Sequence, residues 1–157
     1  MSIAAMTLKM TGVTGESNAE GHIGEIDVVS WGWGLQGAKY VLSDGGPGSA
    51  SSFNEVTLVK LVDRATPVLF QYCDSHKVVS SATLTVEKAS GSNPLRYFTL
   101  DMGQVRILDV EVRSEEAELK EHVRLSCETL TMNYTPQGSA GAATTAPLSF
   151  TADHSNK

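Results

Sequence analysis

Residues 82–102 read ATLTVEKASGSNPLRYFTLDM, and two alternations within this stretch decide the fold class. Ala82, Leu84 and Val86 alternate with Thr83, Thr85 and Glu87; Phe98, Leu100 and Met102 alternate with Tyr97, Thr99 and Asp101. Successive side chains of a strand point to opposite faces, so a period of two marks a strand with one face buried and one wet. The Gly- and Pro-bearing cluster 89–94 separates the two runs and marks a turn. Upstream, Met6, Leu8 and Met10 alternate with Thr7, Lys9 and Thr11, and the clusters 12–21 and 43–52 add further punctuation. Several short strands with regular turns predict a mainly β fold, a compact antiparallel β-barrel or β-sandwich.

Other stretches depart from clean alternation. In residues 25–34, Ile26 and Val28 fall on one parity and Val29, Trp31 and Trp33 on the other. Residues 55–62 repeat this, with Val56, Leu58 and Val62 against Val59 and Leu61. A strand apolar on both faces needs cover on both, and with little helix predicted, part of that cover is expected from another copy of the chain. Residues 123–134 switch phase: Val123, Leu125 and Cys127 share one parity, and Leu130, Met132 and Tyr134 take the other. A bulge near Glu128-Thr129 accounts for the switch.

One short α-helix is predicted over about residues 66–75. Thr66 reads as its N-cap and Pro67 as its first helical residue, with Val68, Leu69 and Tyr72 as an apolar stripe. Asp63 precedes it, where a carboxylate suits the positive end of the helix dipole. Residues 114–122 (SEEAELKEH) have helical composition but are short, and are expected to form a solvated loop or single turn. Residues 43–52 (SDGGPGSASS) form an extended Gly-rich loop of the kind that is either functional or disordered. A single domain is placed at 1–137. The tail 138–157 is expected to add one short strand through Leu148 and Phe150 and then to fray.

Charge and motifs exclude several functions. Lys and Arg number 12 against 18 Asp and Glu, a net charge of −6, and a phosphate-binding surface needs clustered cations instead. No apolar run approaches the roughly 18 residues of a membrane span, and Lys9 interrupts the N-terminal apolar stretch, so no Sec signal is read. Folding in a reducing cytoplasm is expected. Cys73 and Cys127 belong to no CxxC pair and read as ordinary buried thiols. His22, His76, His122 and His154 lack metal-ligand spacing and read as surface residues. Gly45-Gly46-Pro47-Gly48 lacks the GK[ST] of a phosphate loop, and there is no GxSxG elbow. Glu115, Glu116, Glu118 and Glu121 read as a solvated acidic face. No catalytic residue, cofactor or metal is expected. Trp31 and Trp33, two apart on a strand, share one face, and Ser30, Gly32 and Gly34 leave the other nearly flat. The tryptophans read as core or as anchors of a subunit contact.

Gly15-Glu16-Ser17, Glu25-Ile26-Asp27-Val28 and Trp31-x-Trp33-Gly34, in that order, resemble the opening of the haemolysin-coregulated protein (Hcp) family, the tube proteins of bacterial type VI secretion. The similarity continues through Val59-Lys60, Asp63-x-Ala65-Thr66-Pro67-x-Leu69, Leu84-Thr85-Val86-x-Lys88-Ala89 and Asn133-Tyr134-Thr135-Pro136-Gln137. The resemblance implies a β-barrel with one helix, a homohexameric ring, and rings that stack into a tube. It implies a contractile sheath, a spike and a baseplate as partners, and small protein effectors carried in the lumen. It implies assembly in the cytoplasm and export without a cleaved signal peptide. It places Ser30, Gly32 and Gly34 toward the lumen. It assigns Ser43, Asp44, Gly45, Gly46, Pro47, Gly48 and Ser49 to a loop reaching the adjacent ring. Trp31, Trp33, Val59 and Leu61 are placed in the protomer core or at its interface. The family often has serine where this chain has Gly32. Two other readings are a monomeric β-sandwich whose tryptophan face stacks on a sugar or apolar ligand, and the tail-tube protein of a phage-like contractile device.

Overall fold

The two runs that alternate in sequence are strands β7 (Val78–Lys88) and β8 (Leu95–Glu115) of a computed structural model, which describes residues 3–37, 52–53, 55–89, 94–137 and 146–155. Before them come β1 (Ile3–Met10), β2 (Ile26–Asp27), β3 (Ser30–Gly32), β4 (Leu35–Gln36), β5 (Ser52–Phe53), β6 (Val56–Leu61) and helix α1 (Thr66–Asp74). After them come β9 (Glu118–Ser126), β10 (Thr129–Tyr134) and β11 (Leu148–Asp153). β7 and β8 pair antiparallel with Ala82 opposite Met102 and Leu84 opposite Leu100. β1 pairs with β7 in the same sense, and Leu8 and Met10 join those four residues in the core.

β8 is the spine of the fold. Its first half lies between β7 and β10, and its second half pairs with β9. β9 continues to β6 and then β3, while β1 continues to β2, so β2 and β3 are the two ends of one sheet. Only Val28 and Val29 separate them. The Val28 amide donates to the Met6 carbonyl at 3.0 Å, and the Val29 amide donates to the Val59 carbonyl at 2.7 Å. Adjacent amides thus bond to opposite ends of the sheet and close it into an antiparallel barrel.

That closure corrects the reading of residues 25–34 as one strand apolar on both faces. Ile26 and Val28 are buried on the β1 side; the chain then crosses to β6, changes phase, and packs Trp31 and Trp33 against the same core. Val29, at the crossing, is 47% exposed. The phase switch of residues 123–134 is also different from a bulge in one strand. Leu125 faces Ile107 and Leu130 faces Met102, one unbroken register, because β8 changes phase at the same level with Gln104 at φ 53°. The Glu128 amide donates to the Gly103 carbonyl at 3.0 Å across this paired kink.

The helix starts one residue earlier than its sequence signal. Ala65 precedes it in helical conformation, and Thr66 makes no capping bond. The Thr66 hydroxyl instead accepts from the Asp63 amide at 3.0 Å and donates to Glu121 at 2.6 Å, while Asp63 accepts from the Ala65 amide at 2.9 Å. Residues 114–122 form neither a loop nor a single turn but the end of the β8–β9 hairpin, reversed by Glu116 and Ala117 at φ 52° and 64°. A short isolated helix is marginal in water, and here the ladder from Ile107 to Glu115 outweighs local propensity. β11 runs through Leu148 and Phe150 and pairs along its length with β10. Residues Ser43, Asp44, Gly45, Gly46, Pro47, Gly48 and Ser49 lie outside the described residues.

Candidate functional site: a polar groove on the four-stranded wall

Strands β3, β6, β9 and the second half of β8 form one wall of the barrel, and its outward side chains follow from the pairing. One row runs Ser30, Val59, His122, Glu111, and the next runs Gly32, Thr57, Arg124, Asp109. With Arg113 they line an open groove of about 430 Å³. Its charges are matched within the chain. Arg124 bonds Glu55 at 2.6 Å and Asp109 at 3.3 Å, Arg113 bonds Glu111 at 2.8 Å, and His122 bonds Glu115 at 2.9 Å. The Arg113 hydrogen bond holds the Glu111 carboxyl below its usual range, and Glu111 in turn raises Arg113. Such exposed pairs are screened by salt and contribute little to stability. Their effect is to present a hydrophilic surface with little unpaired charge.

Ser30 and Gly32 sit on this wall. A Cβ at Gly32 would meet only the Thr57 hydroxyl, at 3.5 Å, so the position has room for a side chain. Gly34 departs from it: β3 ends at Gly32, and Gly34 borders a shallow apolar hollow with Trp33, Leu35, Met132 and Phe150. Trp31 stacks on Phe98 with ring centroids 5.5 Å apart, and both tryptophans pack on the core, so their faces are taken from within. Val59 is half-buried on the groove side, whereas Leu61 is 45% exposed beside Val29 and Val62.

Behind the wall lies a charged cluster that the sequence reading missed. Lys60 and Glu121 face each other across β6 and β9, both fully buried, with Nζ 2.6 Å from Oε2. Asp63 lies 3.0 Å from the same ammonium, and Thr66 joins the cluster through Glu121. Glu121 therefore does not belong to a solvated acidic face. The available signal was parity: Lys60 shares the inward phase of Val56 and Leu58, and Glu121 that of Val123 and Leu125. Through Lys60, Asp63 and Thr66 the cluster ties the helix start to the wall. Gly15-Glu16-Ser17 has a comparable structural part. A Cβ on Gly15 would come within 2.4 Å of the Glu25 carbonyl oxygen, Glu16 accepts from the Arg64 amide at 2.9 Å, and Ser17 accepts from the Ala19 amide at 3.2 Å.

His22 is not a surface residue; it is 3% exposed and contacts two carboxylates. Burial pushes the Cys127 thiol up to about 11, so it stays protonated and unreactive near neutrality. Among the described residues no three His, Cys, Asp or Glu side chains converge as a metal site, and no helix is long and apolar enough to cross a membrane.

Comparison with known proteins places this architecture. The family described as type VI secretion system effector, Hcp, matches residues 7–137. Protein hcp1 of Pseudomonas aeruginosa is 31% identical over 148 residues, spanning 92% of this chain and 91% of that protein. The crystal structure of Hcp1 from Salmonella typhimurium superposes with a TM-score of 0.80 at 27% identity, covering 98% of this chain and 96% of that one. A type VI secretion system effector from Yersinia pestis gives 0.76 at 26% identity, covering 94% and 98%. The match over residues 7–137, the Pseudomonas relative and the shared fold agree, and the chain belongs to the Hcp family of type VI secretion tube proteins.

Proposed function

We propose that this chain is a non-catalytic tube subunit: six copies close into a ring by strand pairing, rings stack into a tube, and the grooved wall bounds the lumen. One observation carries the reading. Among the described residues, the wall has two open edges: β3 pairs only with β6, and β8 beyond Arg106 pairs only with β9. Open edges carry unpaired N–H and C=O groups that recruit another strand. The four strands alternate in direction, so β3 of one copy meets β8 of the next antiparallel. The two edges differ, which makes the contact heterologous and lets it close a ring. Leu108 and Val112 along the β8 edge, and Val29 beside β3, are exposed apolar side chains that such a contact buries.

In this ring Ser30 and Gly32 line the bore on a wall whose charges are internally matched, a surface suited to small protein effectors rather than nucleic acid. Val59 lies on the same bore-facing row as Ser30, Trp31 and Trp33 belong to the adjoining core, and Gly34 and Leu61 are assigned to the subunit contact. Residues 1–137 form the ring-building domain, with β11 of the tail added to its sheet. Residues 43–49 are assigned to the contact between rings. The sheath, spike and baseplate of the secretion apparatus are the remaining partners, and the subunit is assembled in the cytoplasm and exported by that apparatus. Negative-stain microscopy and native mass spectrometry test the assembly. Six-membered rings are expected for the wild type, and Val112→Lys is expected to shift the population to monomers with an unchanged far-UV spectrum. A monodisperse wild-type monomer at high concentration overturns the proposal.

A further inference from the structure

The turn between β1 and β2 is fastened to the sheet through one imidazole. His22 is 3% exposed, with Nδ1 3.0 Å from Glu25 Oε1 and Nε2 2.5 Å from Glu87 Oε1. Glu25 precedes β2 and Glu87 lies on β7, so the ring spans the intervening strand β1. Among the described residues these two carboxylates are the charged groups set against it. A neutral imidazole has one N–H and one lone pair. Its lone pair would then face a carboxylate oxygen; only the imidazolium donates to both.

We propose that His22 is a proton-dependent latch: charged, it clamps the turn 15–25 and the closing strand β2 to β7, and neutral, it gives up one carboxylate and frees the turn. The turn can respond as a unit because its backbone is bonded to itself. The Gly15 amide donates to the Gly24 carbonyl at 2.7 Å, Ser17 to Glu25 at 2.9 Å, and Gly24 to Ser17 at 3.0 Å. Burial opposes charge on His22, but the hydrogen bonds to Glu87 and Glu25 outweigh it and raise the ring above its ordinary value of 6.5. A group whose pKa is raised by folding stabilises in full below its unfolded value, and that stability is lost as pH rises through the folded value. The latch is therefore closed under mildly acidic conditions and opens on the alkaline side of 6.5.

Thermal melts of the full chain between pH 6 and pH 9, wild type against His22→Gln, test the latch. The wild-type Tm is expected to fall by about 3 °C or more relative to the variant over this range; parallel curves overturn the proposal. Should His22→Gln fail to fold, the wild type alone decides by NMR. His22 is expected to titrate above 6.5. Protection of the Ser17 and Gly24 amides, corrected for intrinsic exchange, is expected to drop about tenfold over the same interval. A His22 that titrates at or below its ordinary value, or unchanged protection, overturns it.

Discussion

Lys60 and Glu121 are cross-strand neighbours with no solvent exposure, and the second carboxylate oxygen of Glu121, Oε1, is buried without a hydrogen-bond partner. Two opposing quantities meet here. Removing one partner strands a buried charge, which costs roughly 3–5 kcal/mol, whereas replacing both with apolar groups of similar volume is often neutral or stabilising. The orphaned oxygen adds to the second tendency, because an unmade buried hydrogen bond costs about 1–3 kcal/mol. Lys60→Met is therefore expected to lose about 3–5 kcal/mol in urea unfolding. Lys60→Met combined with Glu121→Leu is expected to recover most of that loss. Equal losses in the single and double variants would show that the pair itself, and not the uncompensated charge, sets the stability.

Among the elements, the β8–β9 hairpin shows how much depends on a two-residue turn. Glu116 and Ala117 both adopt positive φ, the pairing that Asn-Gly supplies at least cost in two-residue hairpins. Glu116→Asn with Ala117→Gly is expected to stabilise the protein by about 1 kcal/mol and raise Tm by about 3 °C. An unchanged or lower Tm in calorimetry would mean that the turn carries no strain. The same turn explains what the sequence concealed. β7 and β8 were legible because period-two alternation is local, and Ala82–Met102 and Leu84–Leu100 face each other in that phase. The hairpin was not, because Glu116 and Ala117 have no turn chemistry and their neighbours favour a helix. The two phases of residues 25–34 were visible, but their cause is the joining of β1 to β6, which no local window contains. Lys60 and Glu121 were hidden for a related reason. A charged residue reads as solvated until its partner, 61 residues away, is brought opposite it. At the groove, Ser30 and Gly32 were found through their alternation with Trp31. His122 was not, because residues 114–122 have the composition of a solvated loop or single turn, and Arg124 was not, because nothing local marks one polar residue of a strand as facing Gly32 across the wall.

For the whole molecule, net charge and edge geometry bear on assembly separately. The chain carries −6, but charges on different copies are largely screened beyond about 8 Å at physiological salt, so in the proposed ring short-range pairing at the open edges is expected to govern closure. Stacking is assigned to different residues, and the two steps should therefore be separable. Gly46→Trp is expected to leave single rings intact while reducing tube length by electron microscopy. Tubes of normal length would remove residues 43–49 from the inter-ring contact.

The seam at Val28–Val29 has a kinetic consequence. Strand pairings of large sequence separation form slowly because loop-closure entropy comes first. The seam's two bonds join residues 28 and 6, and 29 and 59, far closer in sequence than Leu8 and Leu84 of the β1–β7 ladder or Leu58 and Val123 of the β6–β9 ladder. The seam is accordingly expected to form before the ladders it joins. Substitutions there should slow folding more than they quicken unfolding, so the barrel's rate of formation is expected to depend on two consecutive valines.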